Sequence, residues 1–593
     1  MSAFRYILKD TTKVGRTGAA VYVYSNFFLE IGLAMQSAHR NSTTRPLTYK
    51  WFVLNDLNGF FSVMFDNLTV LAFLAFILTQ IFAMPTEFVY GKIFPGTALG
   101  VLCGDLAFVW LAFVQAKRQG QDSTAIPVAI DTPSTVGLAF AVFGPAFITY
   151  KAAGLSPQEA AIQTWYLGMA TVMGCGLGKF LGSFIGEWIG KIVPKAGLVG
   201  ALAGVGIALL GVVPFIEVMG APAVGLLSFG IIFYSLIAKI ELPGKVPGVL
   251  AAVVLSTGLY YILGPLGLAG QQFIVPQFSA AFNFPLPNYY FIYGLKDSLQ
   301  YLPVVLPFTV LTIVGGVNVA KGAILAGDSY NMREVLQIDA AVTLISGLCG
   351  GIAPTTLYIG HAAFKGMNCR AGHVLLTGIF VGVFGICGLI KVIVDFVPTA
   401  ALAPILVFVA LELTSQAFRD SDNNFRTALT FALFPCIMRA LALKGNYSDN
   451  FESLVSRLMA EANGHRFLSE NLIIPALGNG FVLTSMLWGA FLAFFIERRL
   501  RRASVVLFIL AACSFVGLIH SVSPAGFMYW PFNLPNDIEK AIPFQFAAGY
   551  LLAGLLIFGL SFSKSSIWSI YEDENREIRA KLAQKAAAPE SVS

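Results

Sequence analysis

Charge is what this sequence has least of. Only 12% of its 593 residues are Asp, Glu, Lys or Arg, against 56% hydrophobic. A soluble globular chain carries about 25% charged residues. The shortage excludes a water-soluble domain and implies a polytopic membrane protein. The formal net charge of +6 is modest, and the cations sit in loops. There they orient membrane spans rather than bind nucleic acid. Seven cysteines are scattered, six in apolar runs and Cys369 beside a polar loop. No spacing implies a disulfide framework or a metal site. There is no nucleophile elbow, phosphate loop or metal-ligand cluster, so no enzyme, cofactor or metal is expected. A cleavable signal pattern is also missing from the start of the sequence, and residues 1–57 read as a polar, basic cytoplasmic arm.

What is abundant fits a bilayer. The 58 glycines and 51 phenylalanines suit helices that approach one another closely and face lipid. Apolar segments recur from about Asn58 to Phe562, enough for sixteen spans, with both termini cytoplasmic in a plasma or inner membrane. Loop cations such as Lys117-Arg118, Lys239, Lys245 and Arg498-Arg499 follow the positive-inside rule only loosely. Gly264 to Ser298 reads as a long aromatic, proline-rich loop, and Lys444 to Glu470 as a polar insertion.

Two stretches break the pattern of continuous spans. In AIPVAIDTPSTVGLAF (Ala125 to Phe140) an extended piece precedes a helix start, with Asp131 as N-cap and Pro133 in the first turn. In Gly350 to Lys365 a short extended piece, Ile352-Ala353, precedes Pro354-Thr355-Thr356, read as the opening of a helix too short to span. The two motifs lie about 220 residues apart. Interrupted helices at matching positions in two halves point to an inverted-repeat secondary transporter with its solute site at the breaks. The division follows: a first seven-span repeat at 58–300, a second at 301–497, two additional helices at 498–563 and a cytoplasmic tail at 564–593. The fold class is all-α, with short strands and half-helices at spans 3 and 10. The starts of the Pro133 and Pro354 helices are expected to face each other near the midplane.

Candidate site residues follow from the breaks. Asp66 lies inside the first span, where a carboxylate is costly and so a functional candidate; it could equally pair with Lys321. Asp131 caps one half-helix, and Thr132 and Ser134 lie in its first turn. Gly315, Asn318 and Lys321 lie near the end of span 8. Thr355, Thr356, Tyr358 and His361 follow the second break. Asn67 adjoins Asp66. Lys321 could instead snorkel to the interface, and His361 could be a titratable ligand or a structural histidine. Asp105 and Glu412 are weaker candidates. Asp66 and Lys321 are the expected coupling residues.

Three motifs carry a family resemblance. Gly347-Leu348-Cys349-Gly350-Gly351 with Pro354-Thr355-Thr356, Ile338-Asp339-Ala340-Ala341-Val342-Thr343-Leu344-Ile345, and Pro95-Gly96-Thr97-Ala98-Leu99-Gly100 resemble the span 9–10 junction, span 9 and the entry to span 2 of the nucleobase–ascorbate transporter family, whose members include uracil and xanthine permeases. The resemblance extends more distantly to the sulfate permease and bicarbonate exchanger families. It covers about Asn58 to Ile496 and implies fourteen spans in two inverted sevens, a core and a gate domain, a homodimer, and alternating access with proton or sodium coupling. It also implies a carboxylate in span 8 and another in span 10. The sequence departs there: Gly315, Gly316, Asn318 or Lys321 stand in span 8 and Gly360 or His361 in span 10. A nucleobase N–H would lack its usual acceptors. Two classes therefore remain: a transporter of a nucleobase-like solute or a small anion such as bicarbonate or sulfate, and a channel-like or non-transporting relative. The partners expected are a small solute, a proton or sodium ion and membrane lipid.

Overall fold

Val128, Ile130, Thr355 and Thr356 are β-branched and stiff, and such residues favour extended backbone over helix. In the computed structural model they form the only two strands among the described residues, β1 (Val128–Ile130) and β2 (Thr355–Leu357). The description covers residues 49–192, 195–240, 242–270, 273, 282–445, 473–523, 526–534 and 537–563. Most of the N-terminal arm, most of the 444–470 insertion and the 564–593 tail lie outside these residues.

The strands pair antiparallel, with Val128 opposite Leu357, Ala129 opposite Thr356 and Ile130 opposite Thr355. The pairing continues at both ends. Asp131 N–H donates to the Pro354 carbonyl at 2.9 Å, and Tyr358 N–H to the Pro127 carbonyl at 3.0 Å. Exposed backbone polar groups are untenable at membrane depth, and two interrupted spans resolve this by bonding to each other. The breaks from the two halves are thus adjacent, as expected.

One expectation is corrected. Pro354-Thr355-Thr356 does not open a helix. Proline's fixed φ suits extended backbone as well as a helix start, and the two threonines enter β2. The helix begins only at His361, as the short His361–Gly366. On the other side, Asp131 is the N-cap, accepting from Ser134 N–H at 3.2 Å, and Thr132–Leu138 follows as a helix.

The helices beside and beyond this junction include α1 (Asp56–Phe76), α2 (Phe94–Gln119), α3 (Thr132–Leu138), α4 (Pro157–Ile192), α5 (Lys195–Val205), α6 (Leu302–Leu325), α7 (Met332–Leu348), α8 (His361–Gly366), α9 (Gly372–Ile386), α10 (Thr399–Asp420), α11 (Arg426–Gly445), α12 (Phe481–Ile496), α13 (Leu500–Phe515) and α14 (Asp537–Leu560). Nine helices among the described residues are long and apolar enough to cross a bilayer, or ten with the pair Gly372–Ile386 and Leu389–Phe396, bent by 91° across Cys387-Gly388. Several other expected spans are shorter helices, among them Pro222–Ile237, Gly248–Leu263 and Phe481–Ile496. The protein is an integral, multi-pass membrane protein. The expected aromatic loop carries a helix of its own, Phe291–Gln300, whose Gly294 lies against the Tyr166 backbone of α4.

Small residues let α2 approach its neighbours. A Cβ on Gly96 would lie 2.3 Å from Gly351 N, one on Gly100 2.7 Å from Ser346 Cβ, and one on Gly104 2.9 Å from the Val128 side chain. The glycines are four apart, so they form one face. That face packs α2 against α7, the turn after it, and β1.

Candidate functional site

A cavity of about 480 Å³ opens beside the strand pair, within the range of small-molecule sites. Its walls come from both breaks: Ala129 to Ser134 on one side, and Thr356 to Gly360 on the other. Asp66 of α1, Leu311, Thr312 and Gly315 of α6, and Phe408, Glu412 and Gln416 of α10 complete it.

Of the residues singled out in the sequence, Asp66, Asp131, Thr132, Ser134, Gly315, Thr356 and Tyr358 line this cavity. Asp66 is partly exposed to it and has no hydrogen-bond or ion-pair partner among the described residues. It lies within electrostatic reach of Asp131 and Tyr358. Ser134 Oγ is buried beside the Asp131 carboxyl without a well-formed hydrogen bond to any described residue. The weaker candidate Glu412, of α10, also lines the cavity, exposed and ion-paired with Arg419. Among the described residues, three carboxylates and no lysine or arginine line the cavity.

The remaining candidates do other work. Asn67 is fully buried. Its Oδ1 accepts from Ile130 N–H at 2.8 Å and its Nδ2 donates to the Val63 carbonyl at 3.0 Å, so it anchors β1. Asp105 plays the same part, accepting from Val128 N–H at 2.8 Å. Thr355, the first residue of β2, is buried, with its hydroxyl 2.9 Å from that of Thr343. Asn318 is exposed and does not line the cavity. Lys321 is exposed as well, and among the described residues no ion pair joins it to Asp66. The helix turn carries both α6 residues off the wall that Gly315 forms.

His361 turns away from the cavity. Its Nε2 donates to Asp328 Oδ2 at 3.0 Å, while Lys365 Nζ lies 2.8 Å from Asp328 Oδ1 and 2.9 Å from the Asp122 carbonyl. Thr124 N–H also reaches Asp328, at 3.3 Å. Burial pushes the Asp328 carboxyl up, but the hydrogen bonds from His361 and Lys365 outweigh it and hold the group below the usual carboxylate range. This network fastens the loop after α6 to α8 and to the loop before β1.

A second buried cluster gathers metal-ligand residue types that sequence spacing does not reveal. Asp56, Cys369 and His373 are buried with ligand atoms within 4.8 Å of one another. The Asp56 oxygens are already occupied: Oδ2 accepts from Val53 N–H at 2.7 Å, and Oδ1 accepts from Arg370 N–H at 2.8 Å and from His373 Nδ1 at 3.2 Å. The cluster ties the start of α1 to the start of α9.

The sequence reading missed Lys179. It lies in α4, 2% exposed, and its ammonium is 2.9 Å from Asp339 Oδ2 of α7. Its charge and that of Asp339 both reach Asp131. Opposite charges within the apolar middle stretches of two helices were the available signal.

No protein-family model matches the chain, and no curated protein does. Solved structures resemble its outline. The transmembrane domain of a cyanobacterium bicarbonate transporter, BicA, is 14% identical, with 66% of this chain and 98% of that one covered and a TM-score of 0.46. Murine Slc26a9, an anion transporter in the inward-facing state, is 12% identical, with 66% of each chain covered and a TM-score of 0.44. A further structure of SLC26A9 is 11% identical, with 65% of this chain and 62% of that one covered and a TM-score of 0.44.

Proposed function

We propose that the protein is a secondary active transporter that carries a small solute through the cavity at the strand junction by alternating access, with protons bound at Asp66 and Asp131. One observation carries the reading: both interrupted segments line a single cavity, and the two carboxylates face it from α1 and from the cap of α3. Broken helices meeting around a cavity are how transporters expose backbone and polar groups to a solute. A membrane-buried carboxylate is a functional-site candidate by default, and Asp66 has neither a hydrogen-bond nor an ion-pair partner among the described residues.

The lining favours a solute that donates hydrogen bonds. Asp66, Asp131 and Ser134 Oγ offer acceptors, and no cationic side chain stands among the described lining residues. A planar nucleobase-like heterocycle with ring N–H groups fits these groups. The acceptors would come from spans 1 and 3, not from spans 8 and 10, where Gly315 and Gly360 line the wall. The second reading is a small anion, the substrate class in the names of BicA and Slc26a9. Its support in this chain is the α3 N-terminus at the cavity, whose dipole favours negative charge; protonation of Asp66 and Asp131 would then have to accompany the anion.

Uptake into proteoliposomes, with uracil, xanthine and adenine in one set and bicarbonate and sulfate in another, tests the reading. Uptake of a nucleobase that rises as external pH falls is expected. Uptake of the anions alone would move the assignment to the second reading, and no uptake of either class would reject both.

A further inference from the structure

Lys179 is buried beside the proposed site yet does not line it. An ammonium has three N–H donors and no acceptor, and this one meets three oxygens. Asp339 Oδ2 lies at 2.9 Å and Thr343 Oγ1 at 3.2 Å, and the main-chain carbonyl of Thr355 is in close contact. Thr343 Oγ1 is held in turn by the Asp339 carbonyl at 3.0 Å and by Thr355 Oγ1 at 2.9 Å. Asp339 Oδ1 is buried and has no hydrogen-bond partner among the described residues. One carboxylate, one hydroxyl and one strand carbonyl beside a broken span make the kind of oxygen nest in which transporters hold a coupling sodium. Here a tethered ammonium fills it. The nest lies directly behind β2, and the residue after Thr355, Thr356, faces the cavity.

We propose that Lys179 takes the place of a coupling sodium ion: its ammonium fills the oxygen nest between α4, α7 and β2, holds β2 against the cavity, and leaves coupling to protons at Asp66 and Asp131. The proposal rests on the cavity being the solute site. A merely structural ion pair predicts something else. Such a pair tolerates replacement by apolar residues of similar volume and creates no ion dependence when one partner is removed. A tethered cation, once shortened, leaves an anionic nest of the right oxygens, which a free monovalent cation can enter.

The test uses the full-length purified protein. Thermal unfolding of wild type, Lys179→Ala and the double variant Lys179→Ala/Asp339→Asn is measured in sodium chloride and in choline chloride at equal ionic strength. Wild type is expected to have the same Tm in both salts. Lys179→Ala is expected to be destabilised in choline and to recover with rising sodium in a saturable way, since a ligand that binds only the folded state raises its stability. The double variant is expected to lose that response. A folded Lys179→Ala protein with equal Tm in both salts would overturn the proposal. So would failure to obtain folded Lys179→Ala protein even when sodium is present throughout purification, because sodium should stand in for the ammonium. Uptake by Lys179→Ala should become roughly tenfold higher in sodium than in choline, a typical coupling between two sites. A sodium-dependent Tm without sodium-dependent uptake would keep the nest and reject the cavity as the solute site.

Discussion

At the residue scale, adjacent side chains have opposite duties. Thr356 faces the cavity while Thr355 faces the Lys179 nest, because successive residues of a strand point to opposite sides. Thr356→Val should therefore weaken solute binding by roughly 2- to 12-fold, the equivalent of one hydrogen bond worth about 0.5–1.5 kcal/mol, with Tm nearly unchanged. Thr355→Val should leave solute affinity intact and lower Tm. Isothermal titration and thermal unfolding of the two variants distinguish them. The pair Asp66 and Asn67 divides in the same way. Asn67→Ala strands the buried Ile130 N–H and should cost about 1–3 kcal/mol of stability, whereas Asp66→Asn removes only a charge. The carboxylates of the cavity were legible in the sequence because charge inside an apolar run is conspicuous. The duties of Asn67, Thr355 and His361 were not. Each is a polar residue next to a break, and only three-dimensional packing shows that its partners are Ile130, Thr343 and Asp328.

At the element scale, the breaks were readable and their register was not. Proline after a short extended piece marks both. Yet Pro133 lies inside a helix start and Pro354 leads into a strand. Nothing local separates the two cases, because the choice is made by β1, whose backbone needs β2 as its partner. The α2 glycines have an equally non-local cause. Gly96 touches the Gly350–Gly351 turn more than 250 residues away in sequence, so two of the three motifs behind the family resemblance are in contact with each other. Gly96→Val should abolish folded protein, since its Cβ would fall 2.3 Å from a backbone nitrogen. Gly174→Ala in α4, where a Cβ would meet nothing within 4 Å, should fold and gain slightly in helix propensity. Size-exclusion profiles of the two purified variants check this pair of outcomes.

At the scale of the whole molecule, the two C-terminal helices α13 and α14 are packed against α12. Trp488 Nε1 donates to Tyr550 Oη at 2.9 Å, and His520 Nε2 lies 2.8 Å from the same oxygen. Burial lowers the His520 pKa to about 4, against a partial opposing effect of the Ala476 backbone. An unfolded histidine titrates near 6.5. Between about pH 6.5 and 4 the unfolded state therefore binds the extra proton, and stability falls as pH falls through that window. The loss should approach about 3 kcal/mol by pH 4, and His520→Gln should flatten that part of the Tm–pH curve. The multi-pass character was evident from composition alone. The docking of these helices was not, because it depends on a histidine and a tyrosine that no periodicity singles out.

The central claim is that Asp66 and Asp131 form the proton site of a solute transporter. Its most direct test is lumenal pH in proteoliposomes loaded with a pH dye, after addition of a solute that the uptake screen has identified. Asp131→Asn is the informative partner to Asp66→Asn, because asparagine keeps the helix cap while removing the charge. Wild type should acidify the lumen as solute enters, and both variants should bind the solute without moving protons. Lumenal acidification at the wild-type rate by both variants would contradict the account.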